Sequence, residues 1–120
     1  MTIQKQFIDE TAKPAAQIDI ELCALLFAAQ IRPELKVDDW TRVLDDQVNA
    51  FLAEYEVADG DPLANSELLI EVVGNALGYR GDSLEYFSAD NSLFDRVIEN
   101  RLGIPISLAA IYMSVGQRLG

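Results

Sequence analysis

The amino-acid sequence predicts an all-α fold of about five helices, packed as an orthogonal bundle. Apolar residues recur at three- and four-residue spacing through most of the chain, and no alternating strand pattern runs for more than a few residues. Between the periodic stretches stand glycine, proline and capping residues, which punctuate helices. At 120 residues the chain has room for one domain or for part of a larger one. Residues 1–17 read as an N-terminal arm or short helix, and residues 18–120 as a helical domain.

The first segment is polar with isolated Ile3, Phe7 and Ile8 and stops at Pro14. From Asp19 to Ile31, IELCALLFAAQI is helix-forming and apolar on nearly every side, the pattern of a helix surrounded by others. Pro33 closes it, because proline disfavours helical geometry in the residue before it and has no N–H to donate. Val37, Trp40, Leu44, Val48, Phe51, Leu52 and Tyr55 then form the stripe of an amphipathic helix capped near Asp38. ADGDPLANS reads as a loop, and from Ser66 a third periodic run carries Leu68, Leu69, Val72, Val73, Ala76 and Leu77. Glycines 74, 78 and 81 follow at a helix end, without the spacing or preceding strand of a dinucleotide site. Ser92 and Asp95 have capping-box spacing ahead of Val97, Ile98 and Leu102, and Gly103 suits the left-handed position that ends this fourth helix. Pro105 then opens the fifth, whose Leu108, Ile111, Tyr112, Val115 and Leu119 lie along one side.

Composition narrows the function. Half of the residues are hydrophobic and about a quarter charged, as in a globular protein with a core, and 20 acidic residues against 9 basic ones give a net charge of −11. Nucleic-acid binding is disfavoured, because it depends on clustered Lys and Arg. The single cysteine, Cys23, excludes an intramolecular disulfide and fits a reducing cytoplasm. The N-terminus lacks an apolar signal region, and no apolar run reaches the ~18 residues of a membrane span. The expectation is therefore a cytoplasmic chain with no membrane contact.

The candidate for catalytic chemistry is Ser107, in the first turn of the last helix, where free N–H groups and the helix dipole favour negative charge. A cysteine there would gain thiolate character, but a serine hydroxyl needs a base within hydrogen-bond reach. The sequence has no histidine, and Lys5, Lys13 and Lys36 sit in polar or turn segments. Ser107 remains a weak nucleophile candidate, and the reading favours a polar residue satisfying the helix start. No metal or cofactor site is expected: Asp38, Asp39, Asp59 and Asp61 lack the calcium-loop pattern, and Asp45 and Asp46 read as surface charge. Arg101 and Arg118 suit carboxylate pairing, more readily an internal ion pair than an anionic ligand site.

The segments IDIELCALLFAAQIRPELKVDDWTRVLDDQV and ALGYRGDSLEYFSADNSLFDRVIENRLGIPISLAAIYMSVGQRLG resemble the bacterial transglutaminase-like family named for an invasion regulator, Sir B (first member). The most specific parts are Gly78 to Gly81, Asp90 to Ser92 and Arg101 to Ser107, continued by Tyr112 and Arg118 to Gly120. The resemblance implies that these helices correspond to the helical half of a transglutaminase-like α+β domain. In that core a helix bears the nucleophile, and a following sheet bears histidine and an acidic partner. Ser107 matches the cysteine position, and the histidine-bearing sheet would begin after Gly120. Asn91, Ser92, Arg101, Ser107 and Tyr112 are the expected binding surface, and because members of that family often continue into helical, tetratricopeptide-like repeats, the resemblance implies a protein-interaction role for the complete form. The functional expectation is a non-catalytic interaction or regulatory module. Its rivals are a piece of an acyl-transfer or peptidase-like enzyme and a structural domain that forms a homo-oligomer through its C-terminal helix.

Overall fold

A computed structural model describes residues 2–53 and 62–119, with side chains from residue 65 onward in the second stretch. The expectations for Tyr55, Asp59 and Asp61 lie outside the described residues. Six α-helices are present among them: α1 (Ile3–Thr11), α2 (Ile20–Ile31), α3 (Val37–Leu52), α4 (Pro62–Ile70), α5 (Phe94–Asn100) and α6 (Pro105–Leu119). The open N-terminal segment is thus largely the helix α1, which packs on α2.

Most of the apolar run of α2 is explained by its position, since α1, α3, α5 and α6 all pack against it, but Phe27 and Ile31 stand exposed, so the helix is not surrounded on every side. Asp19 caps it by accepting the Leu22 N–H at 3.0 Å, and Arg32, ahead of Pro33, is its C-cap. Helix α3 begins at Val37 with Lys36 as N-cap. Asp38 therefore lies one residue inside the helix, where its charge and that of Asp39 favour the positive end of the dipole. The α3 stripe of Leu44, Val48 and Phe51 meets Leu25, Phe94 and Ile111 in the main core. A smaller cluster of Ala28, Ala29, Leu35 and Leu93 lies beside it.

Helix α4 starts at Pro62, four residues before the expected Ser66, because proline is well placed at a first helical position. The run then widens into a π-helical turn, Glu71–Ala76, that buries Val72 and Val73 and ends at Gly78 with φ 76°. The chain is not wholly helical. Strands β1 (Arg80–Gly81) and β2 (Leu102–Gly103) pair in parallel, Arg80 opposite Leu102 and Gly81 opposite Gly103. Two-residue strands leave no period in a sequence, so this bridge had no local signal.

Helix α5 corrects two expectations. Ser92 and Asp95 form no capping box: Leu93 is the N-cap, and no side chain caps it. Asp95 turns inward instead, 1% exposed, with Oδ2 2.9 Å from Nε of Arg32. The two charges are close enough to attract, but they are not aligned as a hydrogen bond. The left-handed residue after α5 is Arg101 (φ 57°), not Gly103. Arg101 Nη1 donates to the Leu77 carbonyl at 2.6 Å, which helps hold a conformation unusual for a side-chain-bearing residue.

Arg118 forms the internal ion pair favoured from the sequence. Its guanidinium grips both carboxylate oxygens of Glu21 and donates from Nε to Asp45 at 2.7 Å, joining α2, α3 and α6. Along α6, Ile111 and Val115 are buried, and Leu108, Tyr112 and Leu119 pack on the core. The side expected to stand open for self-association thus faces inward, and the exposed apolar side bears Ile106 and Met113. No helix among the described residues is long and apolar enough to cross a membrane.

Candidate functional site

The start of α6 is built from three short pieces: β2, the residue Ile104, and the 3₁₀ turn Ala89–Asn91. Ser107 joins them. It is the third residue of α6, 8% exposed, and its Oγ accepts the Ile104 N–H at 3.1 Å. This is the returning half of a capping box, in which a side chain in the first turn satisfies the N–H of the residue before the helix. The hydroxyl donates to the Asn91 carbonyl at 2.7 Å, a nearer acceptor than the Ile104 carbonyl at 3.1 Å. With one proton to give, Ser107 spends it on a backbone oxygen.

Asn91 is buried in turn, and its Nδ2 donates to the Glu85 and Tyr86 carbonyls at 2.8 and 3.1 Å. The loop before the 3₁₀ turn is therefore linked to α6 through Asn91 and Ser107. Gly103 completes the arrangement by lacking a side chain, since a Cβ there would come 2.6 Å from Ser107 Oγ.

Ser107 also lies at the edge of an apolar groove of about 550 Å³. Its walls are Ile20, Cys23, Ala24 and Phe27 of α2 and Ile106, Ala109, Ala110 and Met113 of α6. Each set follows i, i+3, i+4, i+7 spacing, so two helical stripes face each other across the groove. Phe7, Ser92 and Phe94 line the remainder. The volume is in the range of small-molecule pockets, roughly 300–1,000 Å³. Of the lining side chains Cys23 alone titrates, and burial pushes its thiol up from the ordinary value, away from the reactive thiolate. The groove thus supplies no base for Ser107. Among the described residues no group of three His, Cys, Asp or Glu side chains is placed to hold a metal.

Of the five surface residues expected from the sequence, Ser92 and Ser107 line the groove, while Asn91 and Ser107 are buried and joined by the bond from Ser107 Oγ to the Asn91 carbonyl. Arg101 is engaged at the end of α5, and Tyr112 borders a second hollow with Leu69 and Gly116. The sequence contains both stripes but no local sign that they face each other as a groove. Locally Asp95 carries only the spacing of a cap, because its partner Arg32 lies 63 positions away and leaves no local mark.

A family model described as transglutaminase-like superfamily matches residues 17–120. The chain is 30% identical over 100 residues to a UPF0162 protein of Vibrio cholerae, covering 81% of this chain and 36% of that protein. It is 35% identical over 97 residues to a UPF0162 protein of Xylella fastidiosa, covering 81% of this chain and 34% of the relative. The chain therefore spans about a third of the length of these bacterial relatives. A shorter similarity, 35% over 49 residues, links it to the F-box only protein 21 of Mus musculus, covering 41% of this chain and 8% of that protein. No solved structure matches it significantly.

Proposed function

The chain belongs to the transglutaminase-like superfamily, and from that membership we propose that its described residues form a non-catalytic interaction or regulatory module. The observation that carries this reading is the hydroxyl of Ser107, whose proton goes to the Asn91 carbonyl, an oxygen that cannot act as a general base. At the position that matches the nucleophilic cysteine, the serine fastens a turn to a helix. Within the superfamily we assign the chain to the branch named for the invasion regulator Sir B, on the segments 78–81, 90–92 and 101–107. The unpaired Cys23 supports a reducing cytoplasm as its setting, and the charge of −11 supports a partner that is not a nucleic acid.

The test is an amide-hydrolysis and crosslinking assay on the purified 120-residue chain. The expected result is no activity above buffer. Turnover that disappears in Ser107→Ala would overturn the reading.

One observation favours a second reading, an acyl-transfer cleft: Ser107 borders an apolar groove large enough for a substrate side chain. In that case a base comes from outside the described residues. A longer polypeptide of this family that contains such a base would then show Ser107-dependent turnover while the 120-residue chain does not.

A further inference from the structure

The loop between β1 and the 3₁₀ turn, residues 82–88, carries the most exposed large apolar side chains among the described residues. Leu84 is 94% exposed and Phe87 96%, with Tyr86 half-exposed beside them and its ring edge-on to Phe87 at 5.2 Å. Exposed apolar residues scattered singly need no explanation, but two such side chains within four positions form a patch.

The loop is also held in shape. Asp82 Oδ1 accepts the N–H groups of Leu84 and Glu85 at 3.1 and 2.9 Å, and the Ser88 N–H returns to the Glu85 carbonyl at 2.9 Å. Asn91 clamps the Glu85 and Tyr86 carbonyls from beneath and is itself tied to Ser107. Leu84 and Phe87 are therefore presented on a backbone already ordered by hydrogen bonds, which lowers the entropy cost of engaging them.

Charge points to the partner. Asp82, Glu85 and Asp90 stand in or beside this loop, and none of them forms an ion pair among the described residues. Arg80 precedes them without neutralising all three. Apolar anchors within a charged rim are the usual anatomy of a recognition surface. We propose that the loop from Asp82 to Asp90 is a docking knob for a protein partner that presents the apolar face of a basic amphipathic helix, bordered by Lys and Arg. A second copy of the chain is disfavoured by like charge, −11 on each, and anionic lipid is disfavoured for the same reason. The inference rests on the interaction-module reading and adds to it the place and chemistry of contact.

The probe is a synthetic amphipathic peptide of leucine and lysine, about 18 residues long, titrated calorimetrically into the full chain at low and at physiological salt. Leu84→Ser with Phe87→Ser is expected to weaken binding about tenfold or more. Asp82→Asn with Glu85→Gln and Asp90→Asn is expected to weaken it and to flatten its salt dependence. Neutralising Asp38, Asp39 and Asp46 on α3 makes the same change of charge elsewhere and should shift affinity by less than about twofold.

The proposal is overturned if the peptide does not bind, if the apolar pair has no effect, or if the α3 variant weakens binding as much as the loop variant. A dimer in sedimentation that the apolar pair abolishes would overturn it in favour of a second copy. Circular dichroism checks each variant's fold. Should the apolar pair unfold, Phe87→Ala and the loop charge variant decide the question. The amide-hydrolysis assay is read separately on the same wild-type preparation, so a failure of this proposal is distinguishable from a failure of the non-catalytic reading.

Discussion

Gly103 and Ser107 leave no room between them: a Cβ on the glycine would stand 2.6 Å from Ser107 Oγ and 3.3 Å from the Leu108 side chain. The glycine is needed for this approach, while the turn after α5 falls to Arg101. Gly103→Ala is expected to destabilise the chain by about 1–3 kcal/mol through overpacking. The loss should be smaller in a Ser107→Ala background, where Oγ is gone. Urea denaturation of the two single variants and the double variant measures the coupling, and strict additivity would show that the hydroxyl is not what blocks the Cβ.

Ser107→Ala by itself leaves the Asn91 carbonyl and the Ile104 N–H without their partner. A cost of about 1–3 kcal/mol is expected for buried polar groups left unpaired. Amide exchange should quicken in the loop held by Asn91 before it does so in α3. Uniform quickening would mean that Ser107 does not hold that loop specifically.

Arg118 reaches Glu21 and Asp45 from the far end of α6, with side chains only 16% and 10% exposed for Arg118 and Glu21. Arg118→Met strands the Glu21 carboxylate and should cost about 3–5 kcal/mol. Adding Glu21→Gln should recover part of that loss, because the stranded charge goes with it. A double variant no more stable than Arg118→Met would argue that packing, not charge, dominates there.

Tyr79 is buried, and its hydroxyl donates to Gln47 at 2.7 Å. Burial pushes its pKa up from 10.0 to about 12. The unfolded chain therefore releases this proton first as pH rises. The contribution of Tyr79 to stability is unchanged below about pH 10 and falls between about pH 10 and 12, by an order of 2–3 kcal/mol. Denaturation at pH 9 and pH 11.5 should show the drop, and Tyr79→Phe should reduce it.

Ser114 is 1% exposed, and its Oγ has no hydrogen-bond partner among the described residues. Ser114→Ala removes an unsatisfied buried hydroxyl and favours the helix, so the expected effect is neutral to about 1 kcal/mol stabilising. A clear drop in thermal midpoint would show that the hydroxyl is bonded in solution.

What the sequence disclosed was local. The unbroken apolar run of α2 announced a central helix, and the stripe of Leu44, Val48 and Phe51 announced a face for it to meet. Pro105 and Ser107 marked the start of α6 because capping is decided within a few residues. What it concealed depended on distant partners. Asp95 had the spacing of a cap, but Arg32 draws it inward; Gly103 had the look of a terminator, but Ser107 requires its missing side chain. The groove needed α2 and α6 to be brought side by side before their two stripes became one cavity.

The grip of Arg118 on Glu21 spans 97 residues of sequence. At about 5–20 residues per second of translation, the carboxylate waits roughly 5–20 seconds on the ribosome before its guanidinium has been made. Through that interval α2, the most apolar helix, has neither its electrostatic clasp nor the α6 surface it packs on. A nascent chain stalled before α6 should therefore be a better substrate for a chaperone than one from which α6 has emerged.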